Sequence, residues 1–149
     1  VLVTPLHAAM IAASIANDGI MMEPKLMYKV VGRNGRIQKQ IESNIYRKST
    51  TIENAELLKS MMEASVSQGT GREAKSKIVT IAGKTGTAEV GSSQTEKKNH
   101  AWFIGFAPTD NPTLAVAVLL EDVGEGKTGG SQAAPVARKV IEKAIELGY

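Results

Sequence analysis

The order of apolar and polar residues divides the chain into helices, a hairpin and a set of strands. At the start, Leu6 to Asn17 is rich in Ala and apolar at nearly every position, a pattern typical of a helix that is buried on most sides. Thr4 can cap this helix, Pro5 suits its first position, and Gly19 can supply a left-handed stop after its end. The pattern therefore predicts a buried first helix.

A hairpin is predicted next. Leu26 to Val31 and Arg36 to Ile41 read as its two strands, with a short polar segment between them. Asn34-Gly35 suits the two central positions of a type I′ turn, because both of those positions require a positive φ.

A second helix follows the hairpin. Thr50 and Glu53 fit a capping box at its start, and the Gly-rich residues 68–71 end it. Its methionines are interpreted as core-filling residues. The predicted apolar stripe consists of Leu57, Leu58, Met61, Met62 and Val66.

Three strands and a last helix complete the predicted architecture. The strands lie near residues 77–90, 100–107 and 114–120, and the short loops between them favour antiparallel neighbours. Because 114–120 is the most apolar strand, it is predicted to be the most buried. The last helix runs from about Ala133 to Leu147, and its sheet-facing residues are predicted to be Val136, Val140, Ala144 and Leu147. The fold class is therefore α+β, an antiparallel sheet packed with helices.

Composition narrows the class of protein. With 149 residues, 42% of them hydrophobic, the chain suits one domain with a real core, and its apolar runs are too short to span a bilayer. The absence of Cys excludes disulfides, thiol catalysis and Cys-ligated zinc, and His7 and His100 are too far apart to suggest a metal pair. A scattered net charge of +3 with six aromatic residues does not indicate nucleic-acid binding. Because the chain begins at Val1, we expect a cut or processed N-terminus.

The segment Gly83-Lys84-Thr85-Gly86-Thr87-Ala88 is the strongest candidate for chemistry. A phosphate loop would need Gly five residues before Gly-Lys-Thr, where this chain has Ile78, and the predicted strand runs straight into Lys84. The structural alternative is a strand end whose glycines allow a bend.

The chemical interpretation of this segment rests on alternation along a strand. Thr85 and Thr87 point to one face, and Gly86 between them lets a ligand lie close to the main chain. The N–H of Thr87 can then meet an oxyanion. Lys84 supplies a cation from the opposite face and has to reach the site around the strand edge, which predicts an edge strand. Together these groups suit a ligand with a terminal carboxylate and a reactive carbonyl.

Several segments, in this order, resemble the transpeptidase domain of class B penicillin-binding proteins, which share a Lys-Thr-Gly motif with the serine β-lactamases. They are Thr4-Pro5-Leu6, Ile15-Ala16-Asn17, Gly69-Thr70-Gly71, residues 82–88, residues 100–108, Gly129-Gly130 and Ala133-Ala134-Pro135. The resemblance covers nearly the whole chain and implies the fold of that family.

The resemblance implies a D,D-transpeptidase that cross-links peptidoglycan stem peptides through an acyl-serine intermediate, with β-lactams acylating the same serine. It implies that Lys84 and Thr87 are catalytic, the Thr87 N–H forming half of an oxyanion hole, and that Thr85, Gly86 and Thr87 bind the substrate. The polar residues 91–99 would overhang the cleft. No metal or cofactor is implied, and the implied location is the extracytoplasmic face of the bacterial cell membrane.

The family places its nucleophile in Ser-x-x-Lys and also carries Ser-x-Asn, but no serine of this chain fits either pattern. We therefore expect residues 1–149 to be the C-terminal part of a single transpeptidase domain, inactive without its N-terminal part. Strands missing from that part would leave an edge near Leu114 to Leu120, through which two copies could pair as a homodimer. The alternative is a non-catalytic peptide- or protein-binding module with the same fold.

Overall fold

Three α-helices, two short helical segments (Arg72–Ala74 and Gly129–Ala133) and seven strands build the part of the chain that the structure, a computed structural model, describes: residues 2–90 and 98–149. The predicted α+β class is confirmed. None of these helices combines the length and the hydrophobicity that a bilayer span requires. In chain order the elements are α1 (Pro5–Ala16), β1 (Ile20–Met22), β2 (Lys29–Val31), β3 (Ile37–Gln40), β4 (Ile45–Lys48), α2 (Ile52–Ser67), β5 (Ala82–Val90), β6 (Lys98–Ala107), β7 (Leu114–Leu120) and α3 (Ala134–Glu146).

The main sheet has the order β5-β6-β7, and both neighbour pairs are antiparallel. Its central strand β6 has neighbours on both sides and helices over both faces. Phe103 packs in the cluster that contains Ala137 and Ile141 of α3, and Phe106 packs with Ile15 and Met62 of α1 and α2. The prediction that 114–120 is the most buried strand is wrong, because β7 lies at the edge of the described sheet and is only half-buried.

Helix α1 has the predicted ends. The His7 N–H donates to the Thr4 hydroxyl oxygen at 3.2 Å, and Gly19 adopts the left-handed conformation with φ +84°. The described residues cover one face of this helix, which includes Ala12 and Ile15, whereas Leu6 and Ile11 are exposed. Burial on most sides, as the composition predicted, therefore does not hold within the described residues.

Helix α2 begins one residue later than predicted. Thr51 rather than Thr50 caps it, accepting a hydrogen bond from the Asn54 N–H at 3.3 Å. Thr50 is instead held by the end of α1, since its N–H donates to the Gly19 carbonyl at 3.3 Å. Of the predicted stripe, only Met62 and Val66 are buried; Leu57, Leu58 and Met61 are exposed.

Helix α3 also turns a different face to the sheet. Its buried residues are Ala134, Ala137 and Ile141, whose spacing places them on one side of the helix. Small alanine side chains let the helix approach β6 closely. Val136, Val140 and Leu147, which the sequence assigned to the sheet, are exposed.

The strands differ from the prediction in three places. Residues 77–81 precede the sheet without joining it, so β5 begins at Ala82. In the predicted hairpin, Gly35 has φ +76° but Asn34 does not have a positive φ, so the turn is not type I′. The Gly35 N–H donates to the Gly32 carbonyl, and a register shift follows in the ladder of β2 and β3. The short antiparallel pair of β1 and β4 was not predicted.

Candidate active site

The candidate segment lies on β5, at one edge of the described sheet, which agrees with the edge strand predicted for it. Lys84 and Thr87 are exposed, and Thr85 and Gly86 are half-buried. The Lys84 ammonium donates to the Thr85 carbonyl oxygen at 2.7 Å. The ammonium thus lies beside the main chain of the threonine that follows Lys84.

Both threonine hydroxyls are held by residues from other parts of the chain. The hydroxyls of Thr85 and Thr70 share a hydrogen bond at 2.8 Å, and the Gly129 N–H donates to the Thr87 hydroxyl oxygen at 3.3 Å. Alternation along β5 predicted that Thr85 and Thr87 share a face, and the structure places them so. The partners Thr70 and Gly129 were not assigned to the site from sequence.

Gly129 and Gly130, here called the glycine turn, press against the candidate segment. A Cβ atom on Gly129 would overlap with the carbonyl oxygens of Gly86 and Trp102, and one on Gly130 would overlap with the Thr70 carbonyl oxygen. The glycine turn therefore fixes the distance between β5 and the loop that carries Thr70. The adjacent glycines are a sequence signal for such a close approach.

The turn is itself held by a local cap. The Ser131 N–H donates to the Thr128 hydroxyl oxygen at 3.2 Å, and the Thr128 N–H donates to the Ser131 hydroxyl oxygen at 3.0 Å. This reciprocal pair satisfies main-chain donors at the start of the helical segment that leads into α3. The glycine turn is thus positioned by its contacts with β5 and Thr70 and by this cap.

The two glycines of the segment have different roles. A Cβ atom on Gly83 would overlap with the Phe103 ring, so packing requires glycine there. A Cβ atom on Gly86 would lie 3.4 Å from the Trp102 Cβ, an ordinary contact, and Gly86 has no positive φ. Neither packing nor backbone conformation therefore requires glycine at position 86.

The predicted overhanging loop lies mostly outside the described residues, which omit 91–97. Its last residues, Lys98 and Asn99, belong to β6. The Lys98 ammonium forms an ion pair with Asp122 at 2.8 Å, and this hydrogen bond and charge raise the pKa of Lys98. The Asp122 N–H also donates to Nδ1 of His100 at 3.1 Å, so the start of β6 is tied to the loop after β7.

The candidate segment, residues 83–88 of β5 and here called the β5 wall, forms an open surface. A cleft of about 390 Å³ lies between α2 and residues 75–81, but its lining does not include residues 83–88. Within the described residues, the side chains of Lys84 and Thr87 are exposed. Such a wall can offer a cation, two hydroxyls and main-chain donors to a ligand that a second surface would enclose.

Comparison with known proteins identifies the same family that the motifs resemble. A family model described as penicillin binding protein transpeptidase domain matches residues 1–142. The peptidoglycan D,D-transpeptidase PbpA of Mycolicibacterium smegmatis is 40% identical over 150 residues, which are 99% of this chain and 30% of the relative. The peptidoglycan D,D-transpeptidase MrdA of Haemophilus influenzae is 36% identical over 155 residues, covering 93% of this chain and 23% of the relative.

Solved structures of penicillin-binding proteins also match this chain. A ceftriaxone acyl-enzyme complex of penicillin-binding protein A from M. tuberculosis matches with a TM-score of 0.88 and 38% identity, covering 96% of this chain and 32% of that one. Penicillin-binding protein 2B of Streptococcus pneumoniae matches with a TM-score of 0.87 and 26% identity, covering 97% and 25%. The chain spans less than a third of the length of the curated relatives cited. These matches confirm the resemblance seen in the motifs, and the chain belongs to the penicillin-binding protein transpeptidase domain family.

Proposed function

We propose that this chain forms part of a D,D-transpeptidase that cross-links peptidoglycan stem peptides and is acylated by β-lactams. Residues 1–149 would be the C-terminal part of a single transpeptidase domain, and the nucleophilic serine would come from polypeptide outside them. Two observations support this division: no serine of the chain fits Ser-x-x-Lys, and the chain corresponds to 30% of PbpA. The proposed location is the extracytoplasmic face of the bacterial cell membrane.

The observation that carries the proposal is the unexplained glycine at position 86. It is half-buried on an exposed edge strand, and the fold has room there for a side chain. A bare main chain between two hydroxyl-bearing residues lets an extended peptide or a β-lactam lie directly against the strand. Glycine at this position therefore serves a ligand better than it serves the fold.

Strand geometry supports the roles proposed for the neighbouring groups. Residues two apart on a strand direct their main-chain groups to the same side. The Lys84 ammonium meets the carbonyl of Thr85, so the N–H of Thr87 points to the side of the strand where that ammonium lies. Lys84 would stabilise negative charge, the Thr87 N–H would donate to the developing oxyanion, and the Thr85 and Thr87 hydroxyls would bind the substrate carboxylate.

The proposed reaction has two halves. The serine oxygen attacks the carbonyl between the two D-Ala residues, forms a tetrahedral oxyanion, and releases the terminal D-Ala with a proton as the acyl-enzyme forms. The amine of a neighbouring stem peptide then attacks the ester, and the serine oxygen leaves with a proton. With a β-lactam the ring amide opens instead, and the leaving nitrogen stays attached.

A homodimer through the edge of β7 is part of the proposal. Within the described residues β7 pairs only with β6, so its other edge offers unpaired main-chain groups. Analytical ultracentrifugation of the 149-residue chain should reveal a dimer that Ala117→Pro disrupts, because the Ala117 N–H lies on the free edge whereas the Val116 N–H faces β6. A monomer at all concentrations would remove the dimer from the proposal without touching the catalytic assignment.

The function is tested by labelling with a fluorescent penicillin. Intact-mass analysis should find no adduct on the 149-residue chain alone, whereas the longer protein that contains it should be labelled. In that protein, Gly86→Val should reduce the acylation rate by at least about tenfold, because the side chain occupies the ligand's path. Ala88→Val, on the same face of β5, is the matched control. An unlabelled longer protein would favour the non-catalytic binding module instead.

A further inference from the structure

Charge is distributed unevenly along the chain, so the expectation that it is scattered is wrong. Residues 24–41, here called the basic hairpin, include β2, β3 and the segment that leads into them. They contain five Lys or Arg and no Asp or Glu. The rest of the chain contains 13 Lys and Arg against 15 Asp and Glu. The positive net charge of the protein thus resides in one short projection.

The cations of the basic hairpin are available to a partner. Every residue in 24–31 and 33–40 is exposed. Lys25 is engaged locally, since its ammonium donates to the Ile41 carbonyl at 3.1 Å and to the Ser43 hydroxyl at 2.7 Å. The side chains of the other four make no ion pair or hydrogen bond within residues 2–90 and 98–149; they are Lys29, Arg33, Arg36 and Lys39.

Apolar side chains are interleaved with these cations. Leu26 is fully exposed, and Met27 and Tyr28 beside it are more than half exposed. Val31 and Ile37, which face each other near the turn, are exposed at 47% and 57%. Cations alone would suffice to keep a hairpin edge from pairing with other strands, but that role does not require exposed Leu, Met and Ile beside them.

We propose that the basic hairpin binds the surface of an anionic phospholipid bilayer. Lys and Arg are attracted to anionic headgroups, and adjacent apolar side chains gain by entering the interface. A hydrated polyanion would satisfy the four free cations but would leave Leu26, Met27 and Ile37 in water, and an acidic protein surface would need matching apolar area beside its carboxylates, which a bilayer interface offers everywhere. The combination of charge and exposed apolar area therefore selects the lipid surface. This surface is separate from the β5 wall and does not depend on the proposed transpeptidase activity.

The first test is co-sedimentation of the 149-residue chain with vesicles. Binding to phosphatidylglycerol vesicles should be strong at low salt, weaken as salt screens the charges, and be absent with phosphatidylcholine. Each cation near an anionic surface strengthens binding by about fivefold. Changing the four free cations to Gln should therefore weaken binding by about a hundredfold or more. The matched control changes four exposed lysines elsewhere to Gln and should retain far more of the binding: Lys75, Lys77, Lys127 and Lys139.

The second test uses the absence of Cys in the chain. Met27→Cys, labelled with an environment-sensitive dye, should show a blue shift when phosphatidylglycerol vesicles are added, whereas Lys139→Cys should not. Far-UV circular dichroism of each variant checks that it is folded. Equal loss of binding in both four-residue variants, equal binding to phosphatidylcholine, or no shift at residue 27 together with tight binding to soluble polyglutamate would each overturn the proposal.

Discussion

The β5 wall and the basic hairpin are both built from antiparallel strands, yet they differ in what constrains them. Next to Gly86, the glycine turn packs so closely that a Cβ atom on Gly129 or Gly130 would overlap with main-chain oxygens, whereas Gly86 itself has room for one. In the basic hairpin nearly every side chain is exposed. The first region has a fixed geometry suited to recognising a small ligand, and the second offers charge and apolar area without a fixed cavity.

One glycine from each region illustrates this difference in constraint. Gly35 in the hairpin has φ +76° and nothing within 4 Å of where a Cβ atom would lie, so it is needed for its backbone conformation alone. Gly129 has no positive φ and is needed because its neighbours leave no space. A turn requirement is local and visible in sequence, whereas a space requirement comes from the rest of the fold.

The largest expected difference between the regions is in packing. Phe103→Ala should lower the free energy of unfolding by about 3–5 kcal/mol, because the ring is fully buried between β5 and α3. Ile37→Ala in the hairpin should change it by less than about 0.5 kcal/mol. Urea unfolding of the two variants measures both values. Equal losses would mean that the hairpin is packed as firmly as the sheet.

Adding one methyl group at each of two neighbouring glycines tests which of them is required by packing. Gly129→Ala should cost about 1–3 kcal/mol of stability, because the added Cβ overlaps with two carbonyl oxygens. Gly86→Ala, in direct contact with Gly129, should cost less than about 1 kcal/mol because its Cβ has room. The same unfolding measurement applies to both. A large loss in Gly86→Ala would contradict the view that glycine at 86 serves a ligand.

Removing one side-chain hydrogen bond in each region should produce a smaller difference in stability. Thr70→Val keeps the shape of the side chain but removes the 2.8 Å bond to the Thr85 hydroxyl, which should cost about 0.5–1 kcal/mol. In the hairpin, Asn34→Ala removes the exposed bond that its side chain accepts from the Arg36 N–H at 3.1 Å, and the loss should be smaller. Thermal melting of both variants ranks them. The reverse order would place the more rigid structure in the hairpin.

The smallest expected effect is a pH dependence at the start of α2. The main-chain N–H of Glu53 and the Thr51 hydroxyl lower the pKa of the Glu53 carboxyl. Because the folded pKa lies below the unfolded value, the ionised carboxylate stabilises the fold above the unfolded pKa, and this contribution is lost as pH falls through the folded pKa. The basic hairpin has no carboxyl group to contribute in this way.

Unfolding measured from neutral to acidic pH tests this prediction. Glu53→Gln should remove a small part of the acid sensitivity, and Thr51→Val should remove some of the same part. If neither variant alters the pH dependence, the carboxyl group is not interacting with the start of the helix in solution.

Local signals explain what sequence predicted correctly. The cap of α1 depends on Thr4 and Pro5 alone, and the boundaries of β7 follow from an apolar run with turn residues on each side. The shared face of Thr85 and Thr87 follows from strand alternation. By contrast, Thr51 and not Thr50 caps α2, and the Thr50 N–H instead bonds to Gly19, more than thirty residues earlier. No pattern within the helix contains that information.

By itself, the sequence determined the α+β class, the family to which the motifs belong, and the alternation that groups the residues of the candidate site. These follow from periodicity and from residue types at short spacing. The tertiary structure alone decided which faces of α2 and α3 are buried and brought Thr70 and Gly129 to β5. It also left exposed the five cations that the sequence groups within residues 24–41. Burial and proximity depend on where distant segments meet, and in this fold those segments are up to about sixty residues apart in the chain.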